Sequence, residues 1–441
     1  MTKKTGVFER FFNLKANKTS IKTEVIAGFT TFMTMAYILA VNPLILSGTG
    51  MEWDKVFTAT AVSAVIGTLV MALYAKLPFA LAPGMGLNAF FAVVVADSVM
   101  DVSFQFALTA VFLEGLIFIL LSFFNVREAI INSIPKNIKK SISVGIGLFI
   151  AFIGLVNSGI IVQGDLPGET ILKMGDITSA GPLLAMMGIL IAGVLLSKKI
   201  KGALFISIIA TTLIGIPMGV TNLVPVKELV KMPSTPYVFE FVSFKEIFSL
   251  EMLFVLFIFL FVDMFDTVGT LVGVATKADM LTEDGRVPNV KKALFADAIG
   301  TTCGAALGTS TVTTYVESAA GVSEGGRTGL TSLVTAFMFG LALFFSPVFL
   351  MIPSAATASA LFLVGLFMMS PIKEIDLDDF TEAIPAFFTL IMMPLAYSIS
   401  EGIVYGLLSY VILKTATGKI KEIHPMSWVI AFFFVLKIVL A

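Results

Sequence analysis

Two acidic residues, Asp263 and Asp266, lie in one of the most apolar stretches of the 441-residue chain, directly after MLFVLFIFLFV (252–262). Side chains three residues apart share one face of a helix, and Thr270 extends that face. An Asp at the centre of a bilayer costs about 2.5–3.5 kcal/mol on insertion scales. Both carboxylates must therefore meet a cavity, a partner or a proton. A structural ion pair is the alternative, but the sequence places no Lys or Arg at membrane depth, and Asp263 could also serve only to brace the site.

Two further polar residues, Asn88 and Glu317, lie in segments that are too short and too rich in Gly, Pro, Ser and Thr to cross as plain helices. These segments read FALAPGMGLNAFFAVVV (79–95) and ALGTSTVTTYVESAAGV (306–322). β-branched residues in the second segment and Pro83 in the first favour a short strand followed by a half-helix. Unwound backbone at membrane depth must be buried in protein or line a wet cavity, so we expect the two strands to pair. Asn88 and Glu317 would then cap their half-helices, bind a ligand, or do both.

In this arrangement, carboxylates on one long helix face an amide and a carboxylate at the tips of two half-helices. Such a site predicts a small ligand. This ligand carries N–H donors and carbonyl or ring-nitrogen acceptors, and it need not be charged. Phe90 could stack on a flat ligand, or it could pack in the core. Buried carboxylates tend to take up a proton, which can then serve as the coupling ion. The candidates to carry it are Asp266, Glu317, Asp263 and Glu114, and Glu114 could instead be hydrogen-bonded between helices.

The chain contains one histidine, His424, and one cysteine, Cys303. A histidine-based metal cluster and an intramolecular disulfide are therefore excluded. We expect no metal and no cofactor apart from the coupling proton.

The composition is that of a multi-pass membrane protein. The chain is 57% hydrophobic and 13% charged, with a mean hydropathy of +0.98, whereas soluble domains are about 25% charged. Basic clusters before the first apolar segment and in several loops place the N-terminus in the cytoplasm. The polar leader has no small-residue cleavage site and does not resemble a signal peptide. We expect the protein in the cell membrane, plasma or inner.

Hydropathy predicts an all-α protein with fourteen transmembrane segments in two repeats of seven, in which the third and tenth segments are interrupted and contain two short β-strands. An odd number of segments per repeat inverts the second repeat, and paired interrupted segments point to a transporter's binding site. The predicted segments are 24–45, 56–75, 88–97, 104–124, 140–156, 181–197, 202–219, 251–275, 292–307, 317–323, 328–350, 355–370, 384–398 and 401–415. The predicted regions are a cytoplasmic segment (1–23), the first repeat (24–225), an extracytoplasmic connector (226–250), the second repeat (251–416) and a C-terminal segment (417–441) with an accessory apolar helix at 425–440.

Four motifs carry a family resemblance over about residues 7–440. They are IKTEVIAGFTTFMTMAYILAVNP (21–43), LAPGMGLNAFF (81–91), DTVGTLVGVATKADM (266–280) and GTSTVTTYVESAAGVSEGGRTGLT (308–331). The chain resembles the AzgA-like purine permeases, which are the hypoxanthine, guanine and adenine branch of the nucleobase:cation symporters. The resemblance implies a uracil-permease-like fold and purine import by proton symport with an elevator-like movement. It also implies a core domain (24–124 and 251–350), a gate domain (127–219 and 355–416) and a homodimer formed through the gate domain.

The resemblance also assigns site residues by position. The acidic ligand of the eighth segment matches Asp266, with Asp263 as its neighbour, and the acidic ligand of the tenth segment matches Glu317. The polar residue of the third segment matches Asn88. Related uracil-type carriers have a histidine where this chain has Thr270, so the part of that histidine in proton chemistry cannot be transferred.

Three other functions are weighed against this one. A transporter of another heterocycle or of an anion could use the same fold, but an anion site would want positive potential where the half-helices meet. A channel would need a continuous pore, which broken helices disfavour. An aspartyl enzyme would need apposed carboxylates from separate elements, and two aspartates three residues apart on one helix give a poor geometry.

Overall fold

The computed structural model describes residues 7–96, 102–123, 135–164, 172–200, 202–277, 280, 287–396 and 399–440. The fold within these ranges is mostly helical, with a few short strands. The helices are α1 (Val7–Phe12), α2 (Ile21–Met35), α3 (Ile38–Ser47), α4 (Trp53–Val70), α5 (Met85–Ala96), α6 (Phe104–Phe123), α7 (Lys136–Asn157), α8 (Ala180–Ser197), α9 (Ala203–Gly215), α10 (Phe244–Ile247), α11 (Leu250–Lys277), α12 (Val290–Leu307), α13 (Ser318–Ser323), α14 (Gly329–Ala342), α15 (Ser346–Leu350), α16 (Ser354–Met368), α17 (Phe380–Leu395), α18 (Ile399–Ala416) and α19 (Pro425–Leu440).

Seven helical stretches within the described ranges are long and apolar enough to cross a bilayer. They are Ile21–Ser47, Trp53–Ala75, Phe104–Ser122, Asn137–Asn157, Ala180–Ser197, Gly329–Leu350 and Ser354–Glu374. Shorter apolar helices occur at Met85–Ala96, Ala203–Gly215 and Phe380–Leu395.

The contacts divide the chain into two compact units. The first unit contains Met1–Phe123 and Met186–Thr357, and the second contains Phe124–Ala185 and Ala358–Ala441. The second unit includes the hairpin of β2 (Ile161–Gln163) and β3 (Leu172–Met174) and the packed helices α7, α17 and α18. All predicted site residues lie in the first unit.

The two strands predicted in the interrupted segments are present and pair with each other. β1 (Leu81–Pro83) runs antiparallel to β4 (Val312–Thr314), with Leu81 opposite Thr314 and Pro83 opposite Val312. Each strand is followed by a helix, α5 after β1 and α13 after β4. The predicted pairing of two extended pieces, each leading into a half-helix, is confirmed.

A threonine from a neighbouring helix forms hydrogen bonds with the backbone of each strand. The Thr68 hydroxyl of α4 donates to the Leu81 carbonyl (3.1 Å) and accepts from the Leu81 N–H (2.9 Å). The Thr301 hydroxyl of α12 donates to the Val312 carbonyl (2.8 Å). Both threonines end the tripeptide Ile-Gly-Thr, at 66–68 and 299–301. Backbone polar groups that lie away from water are thus satisfied on both strands.

Glycines let the helices approach these strands closely. A Cβ at Gly300 would lie 2.9 Å from Val312 Cγ1, and one at Gly67 would lie 3.3 Å from the Gly300 Cα. Gly308 ends α12 with φ +91, a left-handed conformation that favours glycine. The strands therefore rest directly on helix backbone.

Helix α2 is fastened to the start of α14 by a single buried carboxylate. Glu24 accepts hydrogen bonds from the backbone N–H groups of Arg327 (3.0 Å), Thr328 (3.3 Å) and Thr331 (3.1 Å), and from the Thr331 hydroxyl (2.6 Å). The first N–H groups of a helix have no partner within the helix, and its N-terminal end favours negative charge. Glu24, from a different helix, supplies both the hydrogen-bond acceptors and the negative charge.

We expect Glu24→Gln to lower the free energy of unfolding by about 1–3 kcal/mol, because the amide keeps one acceptor oxygen and turns an NH₂ group toward backbone donors. The unfolding temperature of the detergent-solubilised protein measures this change. The control is Glu52→Gln, which removes only a surface ion pair with Lys55. Equal unfolding temperatures for both variants would show that the hydrogen bonds accepted by Glu24 contribute nothing to stability.

Candidate functional site

The hydroxyl-rich segment that leads into β4 contacts polar residues on two helices of the first unit. Thr309 accepts a hydrogen bond from the side-chain amide of Asn42 on α3 (2.9 Å). Thr311 donates to Oε2 of Glu114 on α6 (2.8 Å). All four side chains are buried. The Glu114 carboxylate thus accepts a hydrogen bond from the residue directly before β4.

Asn88 is buried at the start of α5. Ser310 donates to its Oδ1, and its Nδ2 lies 3.4 Å from the Pro83 carbonyl. Because α5 begins at Met85, Asn88 belongs to the first helical turn and is not the N-cap residue. Its amide thus links the ends of both strands.

Asp263 contacts a second carboxylate through one hydroxyl. The Thr267 hydroxyl lies 3.0 Å from Asp263 Oδ1, 3.1 Å from both carboxyl oxygens of Asp297, and 2.8 Å from the Thr313 hydroxyl. The Thr314 N–H donates to Asp297 Oδ1 (3.2 Å). These five residues are buried, and they connect α11 and α12 to β4.

Asp266 and Thr270 lie further along α11. The Asp266 side chain is outside the described part of the structure, and Thr270 is half-buried. Phe90 is 2% exposed, and its ring packs edge-on against Phe259 with the centroids 4.6 Å apart. The structure thus places Phe90 in the core of the unit.

Glu317 has a different environment. It occupies the N-cap position of α13, but its side chain makes no capping hydrogen bond to that helix. The Tyr37 hydroxyl donates to Glu317 Oε1 instead (2.8 Å), and the Thr34 hydroxyl lies 3.4 Å from the Glu317 carbonyl oxygen. Glu317 is partly exposed, and the preceding Val316 is 42% exposed.

Burial separates the predicted acids into two groups. Asp263 and Glu114 are fully buried against β4, whereas Glu317 is partly exposed at the tip of the half-helix. Within the described ranges, no three His, Cys, Asp or Glu side chains are arranged to hold a metal ion. A partly exposed carboxylate at this tip can accept an N–H donor from a ligand.

Several contact residues were missed in the sequence. Asn42 and Thr267 had no distinctive spacing, because partners such as Thr309 for Asn42 and Asp297 for Thr267 are remote in the chain. The hydroxyl run in residues 309–314 was the one available signal. Tyr37 is an isolated aromatic in an apolar segment, and no local pattern distinguishes it from a core residue.

We expect Thr267→Val to destabilise the protein by about 1–3 kcal/mol, because two buried carboxylates lose the hydroxyl between them while the side-chain volume is kept. Thermal unfolding in detergent measures the loss. The matched control is Thr212→Val, whose hydroxyl donates to the Ile208 carbonyl of its own helix (2.7 Å). A Thr267→Val variant as stable as the wild type would contradict this account of the cluster.

Known proteins resemble this chain over nearly its whole length. A putative permease of Methanocaldococcus jannaschii is 48% identical over 431 residues, covering 98% of each chain. The adenine permease AdeP of Escherichia coli is 43% identical and covers 98% of this chain and 96% of its own. The guanine/hypoxanthine permease PbuO of Bacillus subtilis is 44% identical and covers 97% of this chain and 99% of its own. The resemblance to purine permeases inferred from the motifs is confirmed.

A solved structure shows the same fold. The transmembrane domain of the cyanobacterial bicarbonate transporter BicA aligns with a TM-score of 0.65 at 17% identity, and the match covers 88% of this chain and 97% of that one. A sequence-family model described as "Permease family" matches residues 22–427. The chain is therefore a multi-pass membrane protein that belongs to this permease family and is not an enzyme.

Proposed function

We propose that this protein imports purine nucleobases, which are hypoxanthine, guanine or adenine, by proton symport. The observation that carries the proposal is the likeness to an adenine permease and to a guanine/hypoxanthine permease, at 43% and 44% identity over nearly the full length. A purine has ring N–H donors beside ring-nitrogen or carbonyl acceptors, which is the pattern expected of the ligand.

The proposed binding site centres on Asp266 and Glu317, with Asn88 close to the strands. Partial exposure of Glu317 at a half-helix tip supports a direct contact with a ligand N–H group. Thr270 extends the site along α11. The side-chain oxygen of Asn88 accepts from Ser310, which supports a role in holding the tip of the site as well as in binding.

Asp263 and Phe90 complete the proposed set of site residues. Both side chains are buried, Asp263 against Thr267 and Phe90 against Phe259, which supports a role in bracing the site. The coupling proton is proposed to reside on a carboxylate of the first unit, namely Asp266, Glu317, Asp263 or Glu114. Moving a charged group into the bilayer costs free energy. Protonation neutralises a carboxylate, so a site lined by carboxylates can move across the membrane at a lower free-energy cost.

The proposed architecture is fourteen transmembrane segments in two inverted repeats. The equivalent contacts of Thr68 and Thr301 with β1 and β4 support the internal repeat. We further propose a core domain (24–124 and 251–350) that moves in an elevator-like manner against a gate domain (127–219 and 355–416). The protein would form a homodimer through the gate domain in the cell membrane, with the N-terminus in the cytoplasm.

A different heterocycle or an anion is the alternative substrate, and a channel is the alternative mechanism. An anion is disfavoured because the proposed site presents carboxylates, which repel a negative ligand. A channel would give flux that rises linearly with concentration, whereas a binding site that alternates between two sides saturates.

We expect purified protein in proteoliposomes to take up labelled hypoxanthine with saturation and with competition from other purines. Glu317→Gln and Asp266→Asn should each lower uptake efficiency roughly 10–100-fold, because each removes a charged acceptor for ligand N–H groups. Initial uptake rates against a nucleobase panel measure both effects.

The matched control for these variants is Asp54→Asn, which alters a surface ion pair with Lys231 in the same unit. Its uptake should equal that of the wild type. Normal kinetics in both Glu317→Gln and Asp266→Asn would remove the proposed site, and competition by inorganic anions alone would favour the alternative substrate.

We expect uptake to depend on a proton gradient. A lumen more alkaline than the bath should drive accumulation, and external purine should acidify the lumen of liposomes prepared without a gradient. A pH-sensitive dye trapped inside the liposomes measures this acidification. Proton coupling would be contradicted if the uptake rate did not change with the proton gradient and the lumen pH stayed constant.

A further inference from the structure

Tyr37 lies where the first membrane segment changes its hydrogen-bonding pattern. The predicted segment 24–45 consists of α2 and α3, and the Leu39 N–H bonds to the Ala36 carbonyl three residues earlier (3.2 Å). The Ala40 N–H likewise bonds to the Tyr37 carbonyl (3.0 Å). A tighter turn of this kind often marks a functional point in a helix. Tyr37 itself is 1% exposed.

The residues around this turn contact Glu317 at two points. Tyr37 donates its hydroxyl to Oε1 of the Glu317 side chain, and Thr34 lies against the Glu317 carbonyl oxygen. The first segment therefore holds the side chain of the partly exposed acid of the proposed site, whereas the Thr34 hydroxyl lies closer to the Thr31 carbonyl (2.8 Å) and only approaches the Glu317 backbone. It does so from a position 280 residues away in the chain.

Helix α13 supplies no such support of its own. It contains six residues, begins directly after Glu317, and receives no capping bond from that side chain. A Glu side chain has several rotatable bonds, and fixing it costs conformational entropy that some partner must offset. The Tyr37 hydroxyl is the partner that fixes Oε1.

Helix α2, which precedes Tyr37, is itself held firmly against neighbouring helices. Glu24 fastens one end of the helix to the start of α14. In between, a Cβ at Gly28 would lie 2.5 Å from the Thr331 carbonyl oxygen, and one at Gly321 would lie 2.5 Å from the Ala27 carbonyl oxygen. Helix backbones that approach this closely leave little freedom to shift.

We propose that Tyr37 is a positioning residue for substrate binding, which holds Oε1 of Glu317 so that Oε2 accepts an N–H donor of the ligand. This inference rests on the proposed function of Glu317. Because Tyr37 is buried, it acts through Glu317 and does not touch the ligand. The alternative is that Tyr37 only packs in the core and stabilises the fold without affecting ligand binding.

The test is Tyr37→Phe, which removes one oxygen atom and keeps the ring. In proteoliposomes, the KM for the transported purine should rise about tenfold, with the maximal rate per folded protein within about twofold of the wild type. A structural role would instead lower the amount of folded transporter and leave KM unchanged. An unchanged KM would overturn the proposal.

The matched control is Tyr410→Phe in the second unit. Tyr410 is also buried, at 3% exposed, and its hydroxyl donates to the Glu422 carbonyl (3.3 Å). Its loss should leave KM for the purine unchanged. A tenfold rise of KM in this variant as well would mean that any buried tyrosine hydroxyl has the same effect, and would overturn the specific role of Tyr37.

A second measurement does not require transport. Thermal unfolding of Tyr37→Phe, Glu317→Ala and the double variant, without purine, forms a double-mutant cycle. Direct contact predicts that the double variant loses less than the sum of the single losses, and additive losses would overturn the contact. Wild-type protein that takes up no purine would refute the proposed function, while this cycle would still report on the Tyr37–Glu317 pair.

Discussion

Backbone N–H and C=O groups at membrane depth must find hydrogen-bond partners without water. In the first unit, β1 and β4 meet this constraint by pairing with each other, and Thr68 and Thr301 satisfy further backbone groups beside them. This small sheet places the start of both half-helices. The rest of the site depends on it, because every described acid of the site lies on, beside or against these strands.

The described carboxylates of the site fall into two groups, buried ones that contact β4 and one that is partly exposed. Glu114 and Asp297 accept hydrogen bonds from β4 or from the residue before it. Asp263 joins this network through Thr267. A carboxylate in a membrane protein is often read as a functional group, yet here three of them stabilise a polar strand that lipid could not solvate. Glu317 is left at the tip, partly exposed.

The segment formed by α2 and α3 acts as a frame for that tip. Glu24 on α2 binds the start of α14, and Tyr37, between α2 and α3, binds Glu317, so the same segment contacts the starts of both α13 and α14. Such a frame preorganises an acceptor before a ligand arrives, which reduces the entropy lost on binding. It also gives a physical reason for the motif at residues 21–43, which the family resemblance had marked without explaining.

Composition and hydropathy alone determined that this chain is a multi-pass membrane protein, because lipid is the solvent that tolerates so much apolar surface. The Gly, Pro and Thr content of two short segments was enough to predict paired strands, since local backbone preference and the lack of water act on each segment directly. Local patterns also singled out Asp263, Glu317, Asn88 and Glu114 as polar residues in apolar surroundings.

Only the tertiary structure decided which of these residues hold the strands and which one is exposed at the tip. The Tyr37–Glu317 and Thr267–Asp297 contacts join residues that are far apart in sequence, and no periodicity records such distances. The surroundings of Phe90 and Asn88 were likewise set by packing, since the sequence leaves Phe90 open between core and site and Asn88 open between cap and site. Local preferences act within a few residues along the chain, whereas burial and hydrogen-bond partners are set by helices brought together from both halves.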